Sequence, residues 1–361
     1  MTPHHLRILV SPYFRWARGN PHLGLLYEAI KKHNVEVSDF APRKLWRGTW
    51  HVWHLLWPEG LLTRDWPEYL LNSRVTFVRL LRFYVILKLA RTKKIKIFWT
   101  AHNVRPHERD HPLLERLFWR IFLPNLDGII CFSEPGKKQL FAQHPRTKSI
   151  PTFVIPRGHY RGAYPDTMSK SEAREALKIH AHEFIILFFG QIRRYKGVGR
   201  LIKCFARAQI SCAQLLIAGR PMGDVIRREI NDAAAQSPHV RLFLDFVDQN
   251  DIQKFFRAAD LVVLPYKEIS NSGSAILALS FDRPVLLPML GALPGLQQIG
   301  SDWVKLYKGE LTPDIISDAI NWTKRRHLAL GARAPLEDFN WDHTAQATIR
   351  AFKFTVDCCD A

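Results

Sequence analysis

The sequence predicts an α/β protein made of two doubly wound parallel sheets in tandem, and three observations carry that reading. Short apolar runs recur at the length of buried strands, with segments of helical period between them. A stretch rich in Pro and Gly with no clean period, residues 150–166, divides the pattern near its middle. The chain has 361 residues, 47% apolar and 24% charged, which suffices for two domains with real cores.

In the first half, strands are expected at residues 7–11, 35–37, 51–56, 95–100 and 128–132, with a helix at 23–32. Their loops carry Gly19-Asn20-Pro21, Trp57-Pro58-Glu59, Ala101-His102-Asn103 and Ser133-Glu134-Pro135. In the second half, strands at 183–189, 214–219, 240–244, 261–265 and 284–288 alternate with helices ending at Ala208 and spanning 225–235, 251–259 and 275–281. Beyond Pro288 the signal weakens into turns, then gives a helix at 312–327 and a last helix at 341–356. These boundaries set a first domain at 1–155, a linker at 156–168 and a second domain at 169–339, with residues 340–361 returning to the first domain. Ligands of such sheets bind beyond the carboxyl ends of the strands, so the loops hold the candidate residues.

The balance of charge is strongly basic, with 52 Lys and Arg against 33 Asp and Glu, a formal +19. Nucleic acid, an acidic membrane surface and an anionic substrate would each fit. The chain lacks Lys/Arg repeats and interleaved aromatic RNA-binding motifs, which sets nucleic acid aside. Residues 69–94 are long and apolar, but Arg74, Arg79, Arg82, Lys88 and Arg91 interrupt the ~18 apolar residues that a membrane span needs. Two compatible readings stand: a basic amphipathic helix on an anionic membrane surface, or a helix packed on the sheet with its cations in water. Residues 113–123 (LLERLFWRIFL) repeat the basic–aromatic character. Cys131, Cys204, Cys212, Cys358 and Cys359 have neither a disulfide framework nor metal-ligand spacing, and read as reduced thiols of a cytosolic protein. The polar start, leading straight into a strand, predicts no signal peptide.

Two loops carry the chemistry of the second half. The strand at 261–265 runs through Tyr266 and Glu268 into Asn271-Ser272-Gly273-Ser274, where a helix begins. Free N–H groups and the dipole at such a start favour a phosphate, although an ordinary cap gives the same pattern. After the strand at 183–189, Gly190 and Gly197 bracket Arg193 and Lys196. A guanidinium fork beside a point ammonium suits a pyrophosphate, the alternative being two solvated loop charges. Together these residues form a candidate donor pocket. Two Rossmann-like halves facing a cleft, a hinge and a returning C-terminal helix suggest the GT-B architecture of nucleotide-sugar glycosyltransferases.

The ordered motifs Gly19-Asn20-Pro21, Trp57-Pro58-Glu59, residues 100–108 (TAHNVRPHE), Gly158-His159-Tyr160-Arg161, residues 189–197 (FGQIRRYKG) and residues 263–288 span nearly the whole chain. In that order they resemble the xanthan-type β-mannosyltransferases of bacterial exopolysaccharide assembly. The resemblance implies a GT-B fold, a GDP-mannose donor, a polyprenyl-diphosphate-linked glycan acceptor, inversion at the sugar, and a peripheral location on the inner face of the plasma membrane. Large retaining GT-B families carry two glutamates eight apart; here Glu268 lies near the first position, and Leu277 fills the second. Arg157 and Leu56 depart from the family pattern, where histidines are frequent, which bears on the identity of the sugar.

Inverting transfer needs a general base at the acceptor hydroxyl. Glu59, held after Trp57-Pro58, and Glu108, tuned by Arg105 and His107, are equal candidates, with Asp110 third; Glu134 is a further strand-end carboxylate. Each has an ordinary reading as a turn or capping residue. Asn20, His102, Asn103, His159 and Tyr160 are candidate sugar or acceptor contacts. His102 and His107 lack a third partner for a metal, so neither metal nor cofactor is expected. Two other functions stay open: a retaining GT-B enzyme using a UDP-sugar, and a non-catalytic GT-B-shaped scaffold for nucleotide or membrane.

Overall fold

Runs such as FIILFF in the second half and the mixed KIFWT in the first are apolar because parallel strands are covered on both faces. The structure, a computed structural model, describes residues 5–11, 21–58, 73–102, 112–210, 212–235, 237–326 and 331–357. They fall into two units, residues 1–158 with 339–361, and residues 159–338.

The first unit runs β1 Arg7–Ser11, α1 Pro21–Lys31, β2 Glu36–Asp39, α2 Pro42–Trp46, β3 Val52–Leu55, α3 Ser73–Thr92, β4 Lys96–Thr100, α4 Pro112–Phe122, β5 Gly128–Cys131, α5 Glu134–Gln143 and β6 Thr152–Val154. The second runs α6 Lys170–Ala176, β7 Phe184–Phe189, α7 Val198–Arg207, β8 Ala213–Ala218, α8 Asp224–Ala234, β9 Val240–Phe243, α9 Ile252–Ala258, β10 Leu261–Val263, α10 Gly273–Ser280, β11 Val285–Pro288, β12 Val304–Tyr307 and α11 Pro313–Lys324. The chain then returns to the first unit as α12, Trp341–Asp357.

Each unit holds a six-stranded sheet, in the orders β2-β1-β3-β4-β5-β6 and β12-β11-β10-β7-β8-β9, with parallel pairings throughout. Alternation along the strands sorts the first core into two layers. Ile8, Val10, Val52, Phe98 and Ile130 meet α1 and α12, while Leu9, Trp53, Leu55, Ile97, Trp99 and Ile129 meet α3 and α4. Chain order reverses between β1 and β3 in the first sheet, and between β7 and β10 in the second. Such a switch point opens a crevice at the carboxyl ends of its two strands.

The structure corrects several expectations. Residues 152–154, expected in the Pro-rich divide, form β6, which pairs with β5 at the sheet edge. An edge strand tolerates the neighbouring Pro151, so proline there did not mean loop. The weak signal after Pro288 hides β12, an edge strand whose apolar run is broken by Lys305. Helices α2, α5 and α6 are additional; α6 starts at a capping box made by Ser169 and Glu172.

Candidate functional site

The switch point of the second sheet brings together the two loops singled out above. The loop after β7 is pinned to the segment after β10. The Lys267 N–H donates to the Tyr195 carbonyl at 2.7 Å, and Gly197 packs on Pro265 so closely that a Cβ would lie 2.2 Å from its carbonyl oxygen. Gly197 also has φ +70°, so only glycine suits the turn into α7. Gly190 lies where the side chains of both loops meet. A Cβ placed on it would lie 3.0 Å from Ser274 Oγ and 3.4 Å from Lys196 Nζ. An ammonium and a hydroxyl thus converge at the N-terminal turn of α10.

Ser272 caps that helix, its Oγ accepting the Ala275 N–H at 3.0 Å, and Tyr266 Oη lies 2.7 Å from the same oxygen. Tyr266 and Ser272 are both buried, so their hydroxyls are committed within the protein. Burial pushes the Tyr266 phenol up to about 12, against the opposing pull of its Ser272 and Ser274 hydrogen bonds. The turn is therefore braced from below by Tyr266, which meets both serines, while Ser274 and Asn271 each keep part of their surface in solvent. Lys196 keeps part of its surface in solvent, yet desolvation, then the nearby Arg193 charge, lower its pKa to about 8. Arg193 donates to Gln191 Oε1 at 3.0 Å, and Glu268 is exposed.

At the other end of α10, Tyr160 and Arg161 are tied to the helix terminus. The Tyr160 N–H donates to Ser280 Oγ at 2.9 Å, and Arg161 Nη2 donates to Asp282 Oδ1 and the Ala334 carbonyl, each at 2.7 Å. Tyr160 is buried, and His159 Nδ1 accepts the Arg161 N–H at 3.2 Å. Desolvation first, and Arg161 second, lower the His159 pKa. These residues anchor α10 at the end opposite the Ser272–Ser274 turn.

The first unit gathers a basic–aromatic cluster at its strand ends. Trp57, after β3, stacks on His102, after β4, with ring centroids 4.5 Å apart. The Arg157 guanidinium lies over the Phe132 ring at 4.6 Å, and its Nη2 donates to His102 Nδ1 at 3.4 Å. Burial and the Arg157 charge hold the His102 pKa well below its ordinary value. A neutral imidazole whose Nδ1 accepts must carry its proton on Nε2, and that buried atom has no hydrogen-bond partner among the described residues. Beneath lies His54, which sequence reasoning missed. Its Nδ1 is 2.8 Å from Tyr27 Oη and its Nε2 is 2.7 Å from Thr100 Oγ1. A histidine inside a buried strand, VWHL, was the readable signal. His22, likewise missed, sits edge-on to His102 at 5.5 Å.

Asn20, Glu59, Asn103, Glu108 and Asp110 lie outside the described residues. Glu134 is exposed in the first turn of α5. Among the described residues no group of three or more His, Cys, Asp or Glu could hold a metal ion.

The two six-stranded parallel sheets are those of the GT-B fold of glycosyltransferases. The solved structure of HepE from Anabaena, in complex with UDP and glucose, superposes with TM-score 0.62 at 14% identity, over 99% of this chain and 98% of that one. Sucrose-phosphate synthase from Thermosynechococcus elongatus gives 0.60 at 16% identity, over 99% and 97%. Residues 183–320 match the family described as glycosyl transferases group 1. A GDP-mannose:glycolipid 4-beta-D-mannosyltransferase of Xanthomonas campestris pv. campestris is 30% identical over 339 residues, 93% of this chain and 88% of the relative. The chain belongs to the same glycosyltransferase family as that enzyme, within the group 1 glycosyl transferases.

Proposed function

We propose that this glycosyltransferase moves mannose from GDP-mannose to a glycolipid, a polyprenyl-diphosphate-linked oligosaccharide of exopolysaccharide assembly, with inversion at the sugar. The observation that carries the donor reading is the meeting of Lys196 and Ser274 above Gly190 at the switch point. The name of the Xanthomonas relative supplies mannose, guanosine and the glycolipid. In the step, the acceptor oxygen bonds to C1 of mannose as the bond from C1 to the diphosphate breaks. The bonding pair leaves with GDP, and a carboxylate, Glu108, Glu59 or Asp110, takes the hydroxyl proton. Lys196, with Arg193 beside it, balances the charge that grows on the departing diphosphate, the task a metal performs elsewhere. Leu277 is buried in α10, which supports inversion because the second glutamate of the large retaining GT-B families has no counterpart there. The neutral His102 donates from Nε2 to a sugar or diphosphate oxygen.

The glycolipid reading also accounts for α3 and α4. Phe77, Val78, Leu81 and Val85 on α3 are 53%, 63%, 54% and 58% exposed, and Leu113 on α4 is 78% exposed. Exposed cations Arg82, Lys88, Arg116 and Arg120 accompany them, and α3 contains no acidic residue. That composition suits an anionic lipid surface, where each cation is worth about 1 kcal/mol. Among the described residues no helix is long and apolar enough to cross a membrane.

A donor panel with a lipid-linked acceptor, read by NMR of the product, tests the proposal. Transfer from GDP-mannose to give a β linkage is expected. An α product would sink inversion, and transfer from a UDP-sugar alone would replace the donor. Flotation with phosphatidylglycerol vesicles should fall when Phe77 and Leu81 are changed to Ser; undiminished flotation removes the membrane role of α3.

A further inference from the structure

Between α7 and α8 the second unit leaves a groove of about 750 Å³. Six cations line it: Arg193, Arg194, Arg200, Lys203, Arg207 and Lys267. Two of them are committed to partners. Arg194 pairs with Glu229 at 3.0 Å, and Arg200 pairs with Glu310 and donates to the Leu311 carbonyl at 2.8 Å. Lys203, Arg207 and Lys267 are exposed and form no ion pair among the described residues. Once Glu229 is neutralised, Asp232 is the remaining carboxylate of the groove wall.

Lys203 and Arg207 stand four residues apart on α7, the helical spacing at which like charges face each other, so they repel one another unless an anion lies between them. The floor is apolar, through Val198, Ile226, Ile230 and Ala233. A low-dielectric floor under a row of cations strengthens their field. Space is open as well, because a Cβ on Gly199 would meet no atom within 4 Å. The groove starts at the loop of Arg193 and Gly197 but runs down α7, and Lys196 and Ser274 do not line it.

We propose that this groove is a second anion site, which takes a phosphate or diphosphate group belonging to a ligand other than the donor. An acidic phospholipid headgroup and a soluble phosphate offer the same chemistry, and the test separates them. The assignment does not depend on the identity of the donor sugar.

The experiment measures inorganic pyrophosphate binding by calorimetry, and phosphatidylglycerol vesicle binding by flotation, on the full chain. Three proteins are compared: the unsubstituted chain, Lys196→Ala, and Lys203→Ala with Arg207→Ala. Both residues of the double variant are exposed, so its melting temperature should match the parent. Lys196→Ala is expected to keep a site that the double variant weakens by about tenfold or more, as loss of charge-assisted contacts should. Such a loss for pyrophosphate assigns a soluble ligand; the same loss for vesicles alone assigns a headgroup. The proposal is overturned if neither probe binds, or if binding is indifferent to the double variant.

Discussion

Around the Lys196 ammonium, protein has replaced much of the water, and Arg193 adds a like charge, so the group sits near pKa 8 rather than 10.5. A bound diphosphate sets opposite charge beside the ammonium, which outweighs both effects and raises its pKa. In the free protein the ammonium is present below about 8 and lost above it, so anion binding above that pH must first take up a proton. Donor nucleotide affinity should therefore be flat below pH 8 and weaken by up to tenfold per unit above it. Lys196→Arg, which stays charged, should remove that decline, and calorimetry from pH 7 to 9.5 checks both. Lys196→Ala should cost about 1–3 kcal/mol of donor binding at pH 7. The spacing of Gly190, Lys196 and Gly197 made this residue readable in the sequence. The role of Ser272 as a buried cap was not readable, since it depends on Tyr266 folding back under the turn to meet it. Ser272→Ala removes the cap and the Tyr266 partner together, and urea unfolding should report a loss of about 1–2 kcal/mol.

The same device appears in the elements of both sheets. Asp127 precedes β5 and accepts the N–H of Ile97 in β4 at 2.8 Å; Asp260 precedes β10 and accepts the N–H of Ile185 in β7 at 2.7 Å. Each carboxylate also holds arginine, Arg91 for Asp127 and Arg174 for Asp260. Arg174 is 5% exposed, so deleting its partner strands a buried charge. Asp260→Ala should destabilise the second unit by about 3 kcal/mol, against under 1 kcal/mol for the more exposed pair of Arg194 and Glu229. Chemical denaturation of Asp260→Ala beside Glu229→Ala makes that comparison. Central strands were legible because burial on both faces leaves continuous apolar runs, as in β7 and β10. Edge strands β6 and β12 were not, because one open side admits Pro151 and Lys305. The carboxylates proposed as base were legible only as candidates. Spacing names Glu59, Glu108 and Asp110 without saying which of them meets a hydroxyl.

At the scale of the whole molecule, the two units differ in how they respond to acid. The first buries His22, His54 and His102 as neutral rings, and burial leads the lowering of each pKa, to about 3 for His54. Unfolded, each would titrate near 6.5. The folded state thus binds fewer protons than the unfolded chain at mildly acid pH, which favours unfolding. Stability from these histidines is complete above 6.5 and drains as pH falls below it, continuing for His54 to about 3. The slope is about 1.4 kcal/mol per pH unit for each histidine. In the second unit, His159 is lowered as well but is only half-buried, so its contribution is smaller. Calorimetry from pH 7.5 to 5 should resolve two transitions, with that of the first unit falling faster. His54→Gln cannot titrate, so it should lower the melting temperature at pH 7.5 by breaking the Tyr27 and Thr100 contacts, yet flatten the decline below 6.5 by one histidine's share. A variant whose slope matches the parent would show that His54 is not held neutral by burial, and that the acid response of the first unit has another origin.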